Sequence, residues 1–196
     1  MFIQTETTPN PATLKFLPGR VVLAKGVLEF HNSKEADQNS PLAAKLFTIP
    51  NVSSVLLGHD FIAVTKNDGE WQHLKPAILG TIMEHFLSND PTVTNDATLQ
   101  TQAPEAYEEF YDEKDADIVM TIKEILETRV RPAVANDGGD ITFRGFEDGI
   151  VYLNMRGACA GCPSSTATLK HGIENLLRHF IPEVLGVEAM PQDVML

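Results

Sequence analysis

Apolar positions in this chain fall in short strand-like runs broken by Pro and Gly, and in stretches at helical spacing. Leu14-Lys15-Phe16-Leu17 stops at Pro18-Gly19, a turn dipeptide, and Val27-Leu28-Glu29-Phe30 has the same strand character. Pro41 opens a short helix through Leu42, Leu46 and Phe47, since proline suits a first turn where its missing N–H costs no hydrogen bond. Val55-Leu56-Leu57 and Phe61-Ile62-Ala63-Val64 flank Gly58-His59-Asp60, a hairpin pattern. Trp71, Leu74, Ile78, Ile82 and Phe86 then describe the apolar face of a helix. This part reads as short strands and two helices. His59, His73 and His85 have no partner pattern around them and are expected at the surface or its boundary.

The later part has a second periodic series. Ile118, Ile122, Ile125, Leu126 and Val130 predict an amphipathic helix that ends near Pro132. Asn136-Asp137-Gly138-Gly139-Asp140 predicts a turn, because glycine tolerates positive φ and the Asx side chains close local hydrogen bonds. Ile141-Thr142-Phe143 and the run Ile150 to Met155 flank Glu147-Asp148-Gly149 as a hairpin. A loop, Arg156 to Pro163, precedes a helix marked by Leu169, Ile173, Leu176, Leu177 and Phe180, and Val184 to Met190 supplies a last strand. The order α-β-β-α-β predicts a small α+β domain with helices packed on one sheet.

Charge separates the two parts. Residues 1–90, 91–115 and 116–196 carry net charges of −2, −6 and −4. The middle stretch, PTVTNDATLQTQAPEAYEEFYDEKD, combines an acidic run and two prolines with little apolar periodicity. It reads as a linker, with Tyr107 and Phe110 as residues able to dock on a neighbouring surface. The expectation is therefore two small α+β domains, 1–90 and 116–196, joined by an acidic linker over 91–115.

Composition narrows the chemistry. The net charge of −12 disfavours a broad electrostatic footprint for nucleic acid or anionic membrane, so neither is expected as a partner. No apolar run approaches the roughly 18–20 residues of a membrane span. The first twenty residues lack a secretory h-region and the Arg-rich character of a transit peptide. A cytoplasmic (bacterial) location is expected, or the mitochondrial matrix if this is a processed eukaryotic form.

The two cysteines, Cys159 and Cys162, stand in CAGC between a strand and a helix. A helix N-terminus favours thiolate, the form that ligates metal. Flanking Gly157, Ala158, Ala160 and Gly161 remove bulk, so the backbone can wrap closely around sulfur. Three readings compete. Two cysteines from each of two chains complete the four thiolates of an iron–sulfur cluster. The same four hold structural zinc, although such sites normally draw their ligands from one chain. Or the pair is a dithiol redox couple, although it lies late in the unit rather than after the first strand of a βαβ motif. His171 and His179 do not give a finger-like spacing with the pair.

The run from Arg131 through Asn136-Asp137-Gly138-Gly139-Asp140 to Ile141, followed by Leu153 through Cys159-Ala160-Gly161-Cys162-Pro163-Ser164-Ser165, resembles the NifU-like C-terminal domain of the Nfu iron–sulfur scaffold and carrier proteins. Thr8-Pro9-Asn10-Pro11-Ala12-Thr13-Leu14-Lys15-Phe16 through the Trp71 helix is similar to the Nfu N-terminal domain. The resemblance implies a homodimer bridged by a [4Fe–4S] cluster on Cys159 and Cys162 of each chain. It also implies receipt from upstream cluster-assembly proteins, transfer to apo client proteins, and no enzymatic turnover. Asp137 and Asp140 are expected to form the turn rather than contact iron. Arg144 and Arg156 are candidates for balancing an anionic cluster or an acidic client, beside the plain reading as surface strand residues.

Overall fold

The computed structural model describes residues 2–94 and 109–190. The chain divides into two compact units, residues 1–106 and 107–196, each of α+β type. The first unit contains strands β1 (Gln4–Thr7), β2 (Thr13–Leu17) and β3 (Leu28–Phe30), helices α1 (Ser33–Asn39) and α2 (Pro41–Phe47), strands β4 (Val52–Leu57) and β5 (Ile62–Lys66), and helix α3 (Trp71–Leu87). Its strands form an antiparallel sheet in the order β1-β2-β5-β4-β3. Side-chain oxygens of Asn32 and Ser40 cap α1 and α2 by accepting from the N–H of Glu35 and Ala43, which satisfies donors that a helix start otherwise leaves open. The apolar stripe of α3, Leu74, Ile78, Ile82 and Phe86, packs with Phe16, Leu46, Leu57 and Ile62 into one core.

The second unit opens with strand β6 (Phe110–Tyr111) and a 3-10 turn at Glu113–Asp115. Helix α4 (Ala116–Ile125), a π-helical turn (Leu126–Val130) and helix α5 (Arg131–Asn136) follow without a break, then β7 (Gly139–Glu147), β8 (Ile150–Gly157), helix α6 (Pro163–Phe180) and β9 (Gly186–Ala189). The sheet order is β6-β7-β8-β9, with the central pair antiparallel and both outer pairs parallel. Asp148 and Gly149 both have positive φ, 49° and 80°. They close the β7–β8 hairpin as a two-residue turn between Glu147 and Ile150, the geometry that matches strand twist. On β8, Val151, Leu153 and Met155 point into the core at the period of two that a strand imposes. They meet Ile122, Ile141, Ile173 and Leu177 there. Among the described residues, no helix is long and apolar enough to cross a membrane.

Four differences from the sequence reading have physical causes. The helix does not end near Pro132. A π turn widens the backbone just before it, with the N–H of Arg131 reaching the carbonyl of Leu126. The wider turn lets proline enter without breaking the rod, and both Val130 and Val134 still reach the core. Within the acidic stretch, Phe110 and Tyr111 pair with Gly145 and Phe146. The Phe110 ring fills the place of a missing side chain on Gly145, where a Cβ would lie 2.4 Å from it, and stands 5.1 Å from the Tyr152 ring. Tyr107 lies outside the described residues. The first unit has three helices among its described residues, because α1 buries only Ala36 and so shows no apolar stripe in sequence.

The fourth difference is His85. It is fully buried rather than at the surface, and neither ring nitrogen has a hydrogen-bond partner. It continues the inward stripe of α3, three residues after Ile82, with its ring edge-on to Phe86. Burial pushes its imidazole below the ordinary value, and Lys45 adds to that against the smaller opposing effect of Asp90. The fold therefore holds neutral imidazole. Above the ordinary histidine value both folded and unfolded chains are neutral and His85 costs nothing in protonation. Below it the unfolded chain takes up a proton that the folded chain resists, so stability falls by at most about 1.4 kcal/mol per pH unit. Urea unfolding followed by Trp71, the single tryptophan, should show this loss as pH falls below about 6.5, and His85→Leu should flatten it.

Candidate metal centre

Strand β8 delivers Arg156 and Gly157 to the edge of the sheet, and the chain then turns through Ala158 to Cys162 into α6. The turn is held by backbone bonds. Ala158 N–H donates to the carbonyl of Gly138, Cys159 N–H to Arg156, and Ala160 N–H to Gly157. The Thr166 hydroxyl, from the first turn of α6, donates to the carbonyl of Cys159 at 3.0 Å. Cys162 is the residue before the helix, with extended backbone, and Pro163 follows in the first turn. Both cysteines are free thiols.

The two sulfurs have opposite surroundings. Cys159 is 4% exposed and packs in the core of the unit. Its Sγ occupies the space that a side chain on residue 139 would need, since a Cβ on Gly139 would lie 2.3 Å from it. The paired glycines therefore divide their work. Gly138, with φ of 77°, makes the turn. Gly139 is already strand, paired with Gly157, and leaves room for the Cys159 sulfur. Cys162 is half-exposed at the start of α6, with its sulfur 3.4 Å from the Ser164 hydroxyl. Hydrogen bonding from the Ser164 hydroxyl, then from Ser165, draws its thiol down to about 7, in the range where much of it is thiolate at neutral pH. A shallow surface groove of about 410 Å³, lined by Gly161, Cys162, Pro163, Thr166, Lys170 and Ala189 among others, runs beside it.

Asp140 is a strand residue rather than a turn residue. It is the second residue of β7, 3% exposed, and accepts from both Nε (2.9 Å) and Nη2 (3.1 Å) of Arg131. Arg131 also pairs with Glu127, one helical turn back. The ion pair ties the start of α5 to the residue beside Gly139. The sequence names Arg131 only as the start of the motif run, and its pairing with Asp140 appears in the fold, where it follows directly on the π turn. Asp137 is exposed at the end of α5, and Arg144 and Arg156 are half-buried on β7 and β8. His171 and His179 lie exposed on α6. Among the described residues, no group of three or more His, Cys, Asp or Glu side chains could hold a metal ion. Two thiolates suit a soft metal, and they would make up two of the four ligands that a thiolate-held iron–sulfur cluster takes.

Two outcomes follow from this geometry. Carboxymethylation of Cys162 in the metal-free protein should rise with pH through a midpoint near 7, because only the thiolate attacks. Ser164→Ala should move that midpoint up toward the ordinary thiol value. Asp140→Asn leaves Arg131 half-buried without its bidentate partner and should destabilise the second unit by about 2–3 kcal/mol, as urea unfolding followed by far-UV circular dichroism would measure.

Residues 3–89 match the family described as scaffold protein Nfu/NifU N terminal, and residues 122–188 match the NifU-like domain. The chain is 50% identical over 195 residues to the Homo sapiens protein named NFU1 iron-sulfur cluster scaffold homolog, mitochondrial, covering 98% of this chain and 73% of that one. It is 49% identical over 191 residues to NifU-like protein 5, mitochondrial, of Arabidopsis thaliana, covering 96% and 67%. The solution NMR structure of a NifU-like protein from Saccharomyces cerevisiae is similar over 48% of this chain and 86% of that one, with 28% identity and a TM-score of 0.43. With half its residues identical along nearly its whole length to a named scaffold, the chain belongs to the Nfu family of iron–sulfur cluster scaffold proteins.

Proposed function

We propose that two copies of this chain hold one [4Fe–4S] cluster between Cys159 and Cys162 of each, and pass it to apo client proteins by ligand exchange. The observation that carries this is the incomplete donor set. One loop presents two thiols, and among the described residues no third ligand group stands with them. Four thiolates then require a second chain. A shared site suits a carrier, because separating the chains or admitting a client thiolate opens the coordination sphere. The half-exposed Cys162 beside a surface groove gives such a thiolate its approach. Upstream cluster-assembly proteins would load the site. The mitochondrial names of the relatives support the mitochondrial matrix as its compartment over the bacterial cytoplasm.

One feature favours a second reading. A thiol drawn down to about 7 at a helix start, three residues from a buried partner, is also what a dithiol oxidoreductase uses. The two readings part on which form is active. For the carrier, holoprotein should activate an apo [4Fe–4S] client faster than free iron and sulfide do. Cys159→Ser and Cys162→Ser should each abolish stable cluster binding and transfer, since a serine hydroxyl stays protonated near neutral pH. Both variants should remain folded. Robust disulfide reduction by the metal-free protein, with no client activation by the holo form, would establish the oxidoreductase instead.

A further inference from the structure

We infer that the two cysteines take up a cluster in a fixed order, with Cys162 making the first iron contact and Cys159 held over Gly139 until the loop turns it out. This rests on reading the loop as a cluster half-site, and adds to it a division of labour between the thiols. Gly139 is the positioning residue that makes the division possible.

Access differs between the two thiols. Cys162 is half-exposed at the mouth of a groove, whereas Cys159 is 4% exposed and packed among the side chains of the core. An iron atom arriving from solvent therefore meets the Cys162 sulfur first. The Cys159 seat is specific. A Cβ on residue 139 would lie 2.3 Å from Sγ of Cys159, 2.9 Å from the carbonyl oxygen of Arg156 and 3.0 Å from the Cys159 nitrogen. Only a residue without a side chain leaves that space open. The loop around the seat is tied at three points, Ala158 N–H to Gly138, Cys159 N–H to Arg156 and the Thr166 hydroxyl to Cys159. These ties hold the backbone around the seat in the metal-free chain.

Loading then has two steps that balance individually. Cys162 sulfur forms one bond to iron as one donor thiolate leaves, and the proton of the Cys162 thiol passes to that departing thiolate. Cys159 then leaves its seat and displaces a second donor thiolate in the same way. Unloading runs backwards, and the seat receives the Cys159 sulfur once a client thiolate has replaced it. A seat that stabilises the empty state competes with retention of the cluster, which suits a protein that must give its cargo away.

The test uses the full-length metal-free protein, iodoacetamide, and peptide mass spectrometry to read each cysteine separately. Under native conditions Cys162 should be modified about tenfold faster than Cys159 or more, and the two rates should converge in concentrated urea, where the seat is gone. In Gly139→Ala the Cys159 rate should rise by about fivefold or more while the Cys162 rate holds, a change that general loosening would not confine to one thiol. If that variant does not fold, the two wild-type rates decide the matter alone. Equal native rates, a faster Cys159, or an unchanged Cys159 rate in folded Gly139→Ala would overturn the order. Iron and sulfide analysis of the reconstituted wild type is run beside it. Loss of the order in a protein that binds its cluster leaves the half-site reading intact, whereas failure to bind any cluster overturns the half-site and the order together.

Discussion

The sulfur of Cys159 stands where a side chain on residue 139 would be, and the cysteine-bearing end of the second unit depends on that replacement. It requires Gly139 and Gly157 to lie opposite each other at the last register of the β7–β8 hairpin. It requires the next residue, Asp140, to be held, which the bidentate pair with Arg131 does. That pair in turn requires α5 to present Arg131 to the sheet, and Arg131 is the residue at which the π turn passes into α5. A helix irregularity, a buried ion pair and a paired glycine are thus parts of one local arrangement, and the cysteine loop is their product. The hydrophobic core of the unit supplies the base, since the fully buried Ile141, Leu153 and Leu177 share one cluster with Cys159 and Val134.

Much of this was legible in the sequence, and the parts that were not share a cause. The hairpin at Asp148-Gly149 was readable because positive φ on consecutive residues leaves a composition signature. The cysteine loop was readable because thiols at that spacing, flanked by small residues and followed by proline, combine several local requirements. The α3 stripe was readable because five apolar residues, Trp71 to Phe86, repeat on one face. What failed to show were features decided by partners distant in sequence. Asp140 looks like a turn residue until Arg131, nine positions earlier, is seen beside it. Gly139 looks like half of a turn until the Cys159 sulfur is seen against it.

Two residues misled for the opposite reason, because residue type spoke louder than position. Pro132 carries a strong helix-ending prior, yet one wider turn satisfies it. His85 is polar, yet it sits three residues past Ile82 on the buried stripe, and position alone would have placed it inside. The strand Phe110–Tyr111 lies in an acidic, proline-bearing stretch and is only two residues long, too short for any periodicity to declare it. Its ring docks where Gly145 leaves a gap, again a fact about a partner.

The chemistry follows from a count of ligands as much as from their identity. A structural zinc site normally draws its four ligands from one chain. This loop offers two thiols, one half-exposed and one seated in the core, and the proposed function completes the site from a second chain. Native mass spectrometry of the anaerobically reconstituted protein, with iron and sulfide analysis on the same sample, tests that claim most directly. The account predicts about one four-iron cluster per two chains, found in the dimer and absent from the monomer. A monomer that retains a complete cluster would contradict it.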